Sequence, residues 1–288
     1  MSGTLADSIR ATLGDFSPAE RKVARVLLAG YPSPVFETVA VIAERAAVST
    51  PTVLRFAARM GYRGFPDLQA AVRGELDARS ASPITLYEAA GLGQSDDRQG
   101  GAGILERAAT VFAPALTQTL AEIPPHDFER AVELLADRKR RVTLAGGRFT
   151  HLLAQYLGLH LMQLREEVRL LPDRPVERTA ALAQLTRRDV VVLFDYRRYE
   201  ADKTAIAQLA GEAGGRSVLF TDPWLSPAAA HADVVLPAQV GTMAPYDSLA
   251  PTMAVIEAVI AGVIEALGPE GHRHLSRNED TARRVGLI

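Results

Sequence analysis

The sequence predicts an α/β protein in which an all-α N-terminal domain precedes a domain built on a doubly wound parallel sheet. From Leu5 to Leu76, apolar residues recur at helical spacing, with no β-branched runs bounded by turns. After Arg140, five short apolar segments alternate with amphipathic helices, which is typical of a parallel sheet covered on both faces. Residues 79–103 between these regions are rich in Gly, Ser and Asp and predict a linker.

The composition excludes several classes of protein. With 48% hydrophobic and 23% charged residues, the 288-residue chain has the composition of a globular protein and not that of a disordered chain, a collagen or a coiled coil. The absence of cysteine excludes disulfides, thiolate nucleophiles and cysteine-based zinc sites, and we expect no metal and no other cofactor. No apolar run approaches the roughly 18 residues of a membrane span, and the start lacks the order of a signal peptide. We therefore expect a cytoplasmic protein without membrane contact.

The net charge of −2 is unevenly distributed. Residues 1–80 contain ten Lys/Arg and eight Asp/Glu, whereas the rest of the chain contains 22 and 26. A weakly basic N-terminal part is compatible with nucleic-acid binding but does not establish it.

The predicted domains are residues 1–78, a linker at 79–103 and residues 104–288. We expect helices from about Ile104 to Glu122 and from about Asp127 to Ala136, and a polar tail that contains His272 and His274. A helix from about Asp247 to Leu267 is apolar on most of its circumference, which suits either a subunit interface or the last core helix. The predicted strands are Val142–Ala145, Val168–Leu171, Val190–Phe194, Val218–Thr221 and Val234–Leu236.

Residues 38–61 predict a helix-turn-helix. Two short amphipathic helices flank the turn Ala47-Val48-Ser49, Ser49 is a good N-cap, and Gly61 is a suitable stop. The second helix of such a motif places its N-terminal residues at base edges in the major groove. The predicted DNA-binding residues are Ser49, Thr50, Thr52, Arg55 and Arg59. An ordinary helical hairpin with scattered surface arginines is the alternative.

The runs SPAERKVARVLL and VSTPTVLRFAARMGYRGFPDL, within residues 17–76, resemble the DNA-binding domain of RpiR-family bacterial transcriptional regulators. Residues 141–267 are similar in order and spacing to the SIS domain, the sugar-phosphate-binding α/β sandwich in which such regulators usually end. The resemblance implies a ligand-responsive regulator of carbohydrate genes. Its expected partners are operator DNA, a small effector such as a sugar phosphate or sugar acid, and further copies of the chain in a homodimer or homotetramer.

The predicted effector site lies in the loops that follow three strands, because ligands of doubly wound sheets bind beyond the carboxyl ends of the strands. In the first loop, Gly146 and Gly147 open a helix and form a workable anion site, and Arg148 and Thr150 add polar contacts. A tight strand-to-helix turn is the alternative. In the third loop, Ser226 is either a ligand contact or a helix cap.

The second loop departs from the family. Sugar-phosphate-binding SIS domains usually carry Ser-x-Ser-Gly-x-Thr there, whereas residues 195–200 of this chain read Asp-Tyr-Arg-Arg-Tyr-Glu. Asp195, Arg197 and Arg198 are candidate contacts to an anion. Alternatively, the arginines pair with Asp195, Glu200 or a partner subunit and bind nothing.

Two other functions stay open. A sugar-phosphate isomerase of the same fold needs a positioned acid or base, for which His151 and Glu200 are the candidates. We expect no catalytic residue and no enzymatic activity. A regulator whose SIS domain serves only dimerisation is the third interpretation.

Overall fold

The computed structural model describes residues 4–80, 82–89, 101–243 and 245–288, and the chain divides between residues 81 and 82 into two compact units. The first, here called the helical unit, contains five α-helices and a 3-10 turn at Ser33–Phe36. The helices are α1 (Leu5–Thr12), α2 (Pro18–Leu28), α3 (Val39–Arg45), α4 (Thr50–Arg59) and α5 (Phe65–Ser80).

Polar caps fix where the helices of the helical unit begin, and one apolar core packs them together. Ser17 and Glu20 form a reciprocal capping box at the start of α2, and the Thr38 side chain caps α3. Phe56 of α4 is fully buried, and its ring centroid lies 5.1 Å from that of Phe16. The core therefore holds α4 firmly by one face.

The second unit, here called the α/β unit, alternates helices and strands. Its first helix, α6, lies inside the predicted linker, of which residues 81 and 90–100 are outside the described residues. Helix α7 begins three residues earlier than expected. The helices are α6 (Pro83–Ala89), α7 (Gly101–Glu122), α8 (Pro125–Ala136), α9 (His151–Leu164), α10 (Pro175–Leu182), α11 (Ala201–Glu212), α12 (Ala250–Leu267) and α13 (Pro269–Arg284), and a 3-10 helix spans Pro227–His231.

The five predicted strands form one parallel sheet in the order β2-β1-β3-β4-β5. Alternate residues of β3 face opposite sides, so that Val192 packs toward α8, α9 and α12 and Val191 packs toward α10 and α11. The prediction of a doubly wound sheet is confirmed. The strands are β1 (Arg141–Ala145), β2 (Val168–Leu170), β3 (Asp189–Asp195), β4 (Arg216–Thr221) and β5 (Val234–Pro237).

The two C-terminal helices differ in character. Helix α12 is long and apolar enough to cross a membrane, but its Val255, Val259 and Val263 are buried in the core of the unit. The residues expected as a polar tail form α13 instead. Its His274 and Asn278 side chains bond to the Met162 carbonyl at the end of α9, which ties this charged helix to the unit.

Arg165, at the end of α9, is the largest fully buried side chain among the described residues. Its guanidinium donates to the carbonyls of Leu135 at 2.6 Å, Asp137 at 3.0 Å and Arg140, and so joins the end of α8 to the start of β1. Burial lowers the pKa of Arg165, although Asp137 opposes that effect.

We expect Arg165→Met to lower the free energy of unfolding of the α/β unit by about 3 kcal/mol, because several backbone carbonyls lose their donor. Urea unfolding measures the change. Arg169→Met is the matched control, since its guanidinium donates to the single hydroxyl of Thr143. A loss of less than about 1 kcal/mol for Arg165→Met would contradict this role.

Candidate DNA-binding surface and ligand cavity

The turn between α3 and α4 has the tight geometry that the sequence predicts. Ala47 has φ of 50°, in the left-handed region, and the N–H of Val48 donates to the Ala43 carbonyl at 3.0 Å. Gly61 ends α4 with φ of 89°, a conformation that favours glycine. The two helices therefore form a helix-turn-helix, with α4 in the position of the recognition helix.

A hydroxyl network organises the start of α4. The hydroxyls of Ser49 and Thr52 lie 3.0 Å apart, and the Arg55 guanidinium donates to Thr52 Oγ1 at 3.2 Å. Thr52 itself is only 5% exposed. Thr52, predicted to contact DNA, therefore lies buried between Ser49 and Arg55, and a DNA contact of its own stays a prediction.

Arg59, also predicted to contact DNA, is bound within the helical unit. Its guanidinium donates to the Asp15 carbonyl at 2.6 Å, lies 3.6 Å from the Glu20 carboxylate and covers the ring of Phe16. These contacts attach the end of α4 to the segment that leads into α2. Arg59 is one turn beyond Arg55, and the local sequence gave no sign of partners forty residues away.

The exposed face of α4 carries Thr50, Leu54, Arg55 and Ala58. Leu54 is 45% exposed and was absent from the sequence prediction. The sequence does carry a signal for Leu54, because it is an apolar residue outside the buried stripe of an amphipathic helix. Apolar side chains on a recognition helix contact the methyl group of thymine.

In the α/β unit, a cavity of about 130 Å³ lies at the carboxyl ends of β1 and β3. This is the position at which doubly wound sheets bind ligands. The lining joins the first loop, the second loop and the segment before α12. It comprises Gly147, Arg148, Phe149, Thr150, Asp195, Tyr196, Arg197, Arg198, Glu200, Tyr246, Asp247 and Leu249.

The first loop depends on a glycine at position 146 and on the side chain of Thr150. A Cβ on Gly146 would lie 2.4 Å from the backbone of Thr150, so only glycine fits there. The Thr150 hydroxyl accepts the N–H of Gly147 at 2.7 Å and donates to the Phe194 carbonyl at 3.0 Å. Thr150, predicted to bind the effector, thus fastens the first loop to β3.

Asp195, at the end of β3, joins the second and third loops. One carboxylate oxygen accepts the N–H of Glu200 at 3.1 Å, and the other accepts the hydroxyl of Ser226. Ser226 is 2% exposed and also caps the 3-10 helix through the N–H of Ala228. Burial raises the pKa of Asp195, against the hydrogen bonds from Ser226 and Glu200. Ser226 therefore has the capping role that the sequence analysis held open.

Arg197 is paired. Its Nε donates to Asp247 Oδ2 at 2.8 Å, Nη2 contacts the other oxygen of that carboxylate, and the guanidinium covers the ring of Trp224 at 5.6 Å. Both charged side chains are largely buried. This bidentate pair has the geometry that arginine and carboxylate favour. The sequence analysis left open whether Arg197 contacts an anion or forms a structural ion pair; in this structure it forms an ion pair, with Asp247, in the cavity wall.

Arg148 and Arg198 line the same cavity, and neither guanidinium has an ion pair among the residues described. The Nε of Arg198 is buried without a hydrogen-bond partner. Arg198 also has φ of 67°, a left-handed conformation that L side chains rarely adopt. The two guanidiniums give the cavity its available positive charge.

Two exposed aromatic residues stand at the cavity. The rings of Phe149 and Tyr246 are 56% and 53% exposed, and their centroids lie 5.9 Å apart. Sequence reasoning missed Tyr246 and Asp247, which come from an irregular segment fifty residues after the second loop. Exposed aromatic faces suit the apolar face of a sugar ring.

The two candidate catalytic residues have other partners. Glu200 accepts the N–H of Arg148 at 3.1 Å and pairs with the Lys203 ammonium at 2.7 Å. His151 Nδ1 lies 3.0 Å from the Arg148 carbonyl, and the side chain is exposed. Within the described ranges, no group of three or more acidic or histidine side chains is placed to hold a metal ion.

Asp222, at the end of β4, is a buried carboxylate next to this region. Oδ1 accepts the Tyr199 hydroxyl at 2.7 Å and the N–H of Trp224 at 3.0 Å, while Oδ2 is buried without a hydrogen-bond partner. Burial raises the pKa of Asp222 to about 6, although these hydrogen bonds lower it. Its contacts hold the second loop against the third.

The helix-turn-helix and the α/β sandwich with its cavity define a DNA-binding transcriptional regulator that carries a SIS domain. Residues 3–79 match the model of the rpiR-family helix-turn-helix domain, and residues 134–262 match the model of the SIS domain. The chain belongs to the RpiR family of transcriptional regulators.

Individual relatives agree with this assignment. The chain is 27% identical to the transcriptional regulator HexR of Pseudomonas aeruginosa over 96% of this chain and 95% of that protein. The sugar isomerase domain of an RpiR transcription factor from Sphaerobacter thermophilus is 27% identical, with a TM-score of 0.56 over 60% of this chain and 98% of that one. The Vibrio vulnificus NanR protein, solved in complex with ManNAc-6P, shares the fold at a TM-score of 0.53 and 18% identity over 99% of both chains.

Asp222→Asn should remove a pH dependence of stability. Because the folded pKa lies above the ordinary 3.8, the folded state binds the proton more tightly, and the contribution of Asp222 to the free energy of unfolding falls as pH rises toward 6. We expect the wild type to lose about 2 kcal/mol from this group between pH 4.5 and 7.5. Urea unfolding at the two pH values should show a smaller loss in the variant, and the exposed Asp173→Asn is the control. Equal losses in the wild type and Asp222→Asn would contradict the assignment.

Proposed function

We propose that the exposed face of α4 reads operator DNA and that the SIS domain senses a small anionic metabolite, a sugar phosphate or a sugar acid, that controls this binding. The genes controlled are then those of carbohydrate metabolism. The observation that carries the sensing proposal is the pair of guanidiniums, Arg148 and Arg198, that line one cavity without an ion pair in the described part of the chain. Guanidinium groups bind carboxylate and phosphate through paired N–H donors.

The conformation of Arg198 supports a binding role. A left-handed φ costs a residue with a side chain of the order of 1 kcal/mol, and such strain is concentrated at functional sites. The strain places a buried, unpaired Nε at the cavity, where a ligand anion would satisfy it. The neighbouring rings of Phe149 and Tyr246 give an apolar surface for the rest of the ligand.

We propose that two or more copies act together in the cytoplasm, as a homodimer or a homotetramer. One short recognition helix makes few base contacts, and a two-fold pair reads a palindromic site twice. The excess of two positive charges over residues 1–80 is modest, so affinity depends on this doubling. In this scheme the segment at residues 79–103 links the DNA-binding domain (residues 1–78) to the effector domain (residues 104–288).

The bonds of Glu200 and His151 favour a regulator over an isomerase. Glu200 is held by Lys203 and by the N–H of Arg148, and His151 faces solvent beside the Arg148 carbonyl, so neither is poised as a general base in the cavity. A SIS domain that only dimerises is disfavoured by the strained and unpaired Arg198.

Arg55→Ala should weaken binding to an operator selected from genomic DNA about 5- to 150-fold, because a base or phosphate contact contributes about 1 to 3 kcal/mol. In wild-type protein, replacing the contacted thymine by uracil should weaken binding, because that exchange removes only the methyl group. In Leu54→Ala the same replacement should leave the affinity for the operator unchanged. Fluorescence anisotropy measures both effects. Arg73→Ala removes the same charge from α5, where the guanidinium covers Phe36, and is the control. Wild-type affinity in Arg55→Ala would place the DNA contacts elsewhere.

Arg198→Gly should separate stability from sensing. Glycine adopts a left-handed φ without strain, so the variant should be as stable as the wild type or up to about 1 kcal/mol more stable. It should lose the thermal stabilisation by ligand, which for a ligand at 100 times its Kd is about 2.7 kcal/mol. The candidate ligands to be tested are aldonic acids and hexose 6-phosphates. ManNAc-6P is included because the NanR structure contains it.

Glu167→Gly is the matched control, because Glu167 has φ of 59° and does not line the cavity. It should keep the full response to ligand. A full ligand response in Arg198→Gly would contradict the proposed site.

A further inference from the structure

The carboxylate of Glu200 lies against the first loop of the α/β unit. Its Oε1 accepts the N–H of Arg148 at 3.1 Å, and a Cβ on Gly147 would come within 2.6 Å of the same oxygen. The backbone and the carboxylate are therefore in direct contact, with no room for another group between them. Loops of this kind, in which glycines lead from a strand into a helix, offer N–H groups to anions.

A buried ammonium holds this carboxylate in place. Lys203 is 1% exposed, and its Nζ donates to Glu200 Oε2 at 2.7 Å and to Asp202 Oδ1 at 2.8 Å. Asp202 in turn pairs with Arg178 at 2.5 Å. A buried ammonium is stable only beside fixed anions, so Lys203 and the loop N–H together select a negative group at the position of Glu200.

We propose that Glu200 is a specificity determinant: its carboxylate is the resident anion of the first loop and excludes a phosphate group from it, so that the SIS domain takes a ligand that carries a single carboxylate. This inference rests on the proposed sensing function and names the class of ligand. A phosphate monoester carries about −1.5 to −2 charges at neutral pH, and the loop N–H that would bind it is already taken by the Glu200 carboxylate.

The charge balance of the cavity agrees with a monoanion. Arg148, Arg197 and Arg198 line it together with Asp195, Glu200 and Asp247. Glu200 is balanced by Lys203, and Asp247 is balanced by Arg197. What remains is Arg148 and Arg198 against Asp195, an excess of one positive charge. One carboxylate neutralises that excess, whereas a phosphate dianion exceeds it.

The test is a gain of phosphate binding in the full-length protein. Glu200→Thr removes the carboxylate and leaves Asp202 to pair with Lys203, which frees the loop N–H. We expect inorganic phosphate to bind this variant at least tenfold more tightly than the wild type, by calorimetry and by thermal shift at constant ionic strength. Glu200→Gln, which keeps the size of the side chain, should show a smaller gain and serves if the threonine variant fails to fold.

Two controls locate the gain. Glu212→Thr removes the same charge from the other end of α11, where Glu212 accepts a hydrogen bond from Gln208, and should give no gain. The gain should persist in Glu200→Thr combined with Arg198→Gly, because the first loop binds phosphate without Arg198. If the gain disappears in the double variant, phosphate binds at Arg198, and the proposal is wrong.

Two further results would overturn the proposal. One is a folded Glu200→Thr or Glu200→Gln protein that binds phosphate no more tightly than the wild type does. The other is wild-type protein that binds hexose 6-phosphates as tightly as aldonic acids. Binding of inorganic phosphate to the Glu200 variants can be measured whether or not the protein is a sensor. The proposed sensing function is tested separately, by the ligand response of Arg198→Gly.

Discussion

The buried carboxylate of Asp195, at the end of β3, holds together the loops that form the cavity of the α/β unit. It accepts one hydrogen bond from the N–H of Glu200 and another from the Ser226 hydroxyl, so a single side chain fixes the loops after β3 and β4. A buried carboxylate without such donors would be costly, which means that the loops and the carboxylate stabilise one another. Because Glu200 is fixed in this way, its own carboxylate reaches the N–H of Arg148, and the loop after β1 joins the same arrangement.

Both functional surfaces place a buried polar side chain behind exposed ones. In the helical unit, the buried hydroxyl of Thr52 lies between Ser49 and Arg55, at the start of the recognition helix. In the α/β unit, buried groups hold Arg197 and Glu200, while Arg148 and Arg198 have no ion pair among the described residues. Preorganisation of this kind lowers the entropy lost on binding. In this interpretation, predicted contact residues such as Thr52 and Arg197 act by holding their exposed neighbours in place.

The fold could be predicted from the sequence because its signals are local. Runs such as Val190–Phe194 and the spacing around Ser49 need only a few neighbouring residues to be interpreted. The pairing of Arg197 with Asp247 could not be predicted, since fifty residues and an irregular segment separate the two. Helix α13 was expected to be a tail because it is highly charged, and its attachment depends on contacts to α9 that no local pattern shows. Local patterns therefore predict where the cavity lies. Which of its arginines form ion pairs depends on the tertiary structure.

In the function proposed above, ligand binding in the SIS cavity and operator binding on α4 are coupled. Such coupling is reciprocal, so operator DNA must change the affinity for the ligand by the same factor as the ligand changes the affinity for DNA. Calorimetric titration of the ligand into the protein, alone and saturated with operator DNA, measures this factor directly. We expect the Kd of the ligand to change by about fivefold or more, the usual lower range of allosteric coupling. Equal Kd values with and without DNA would contradict it.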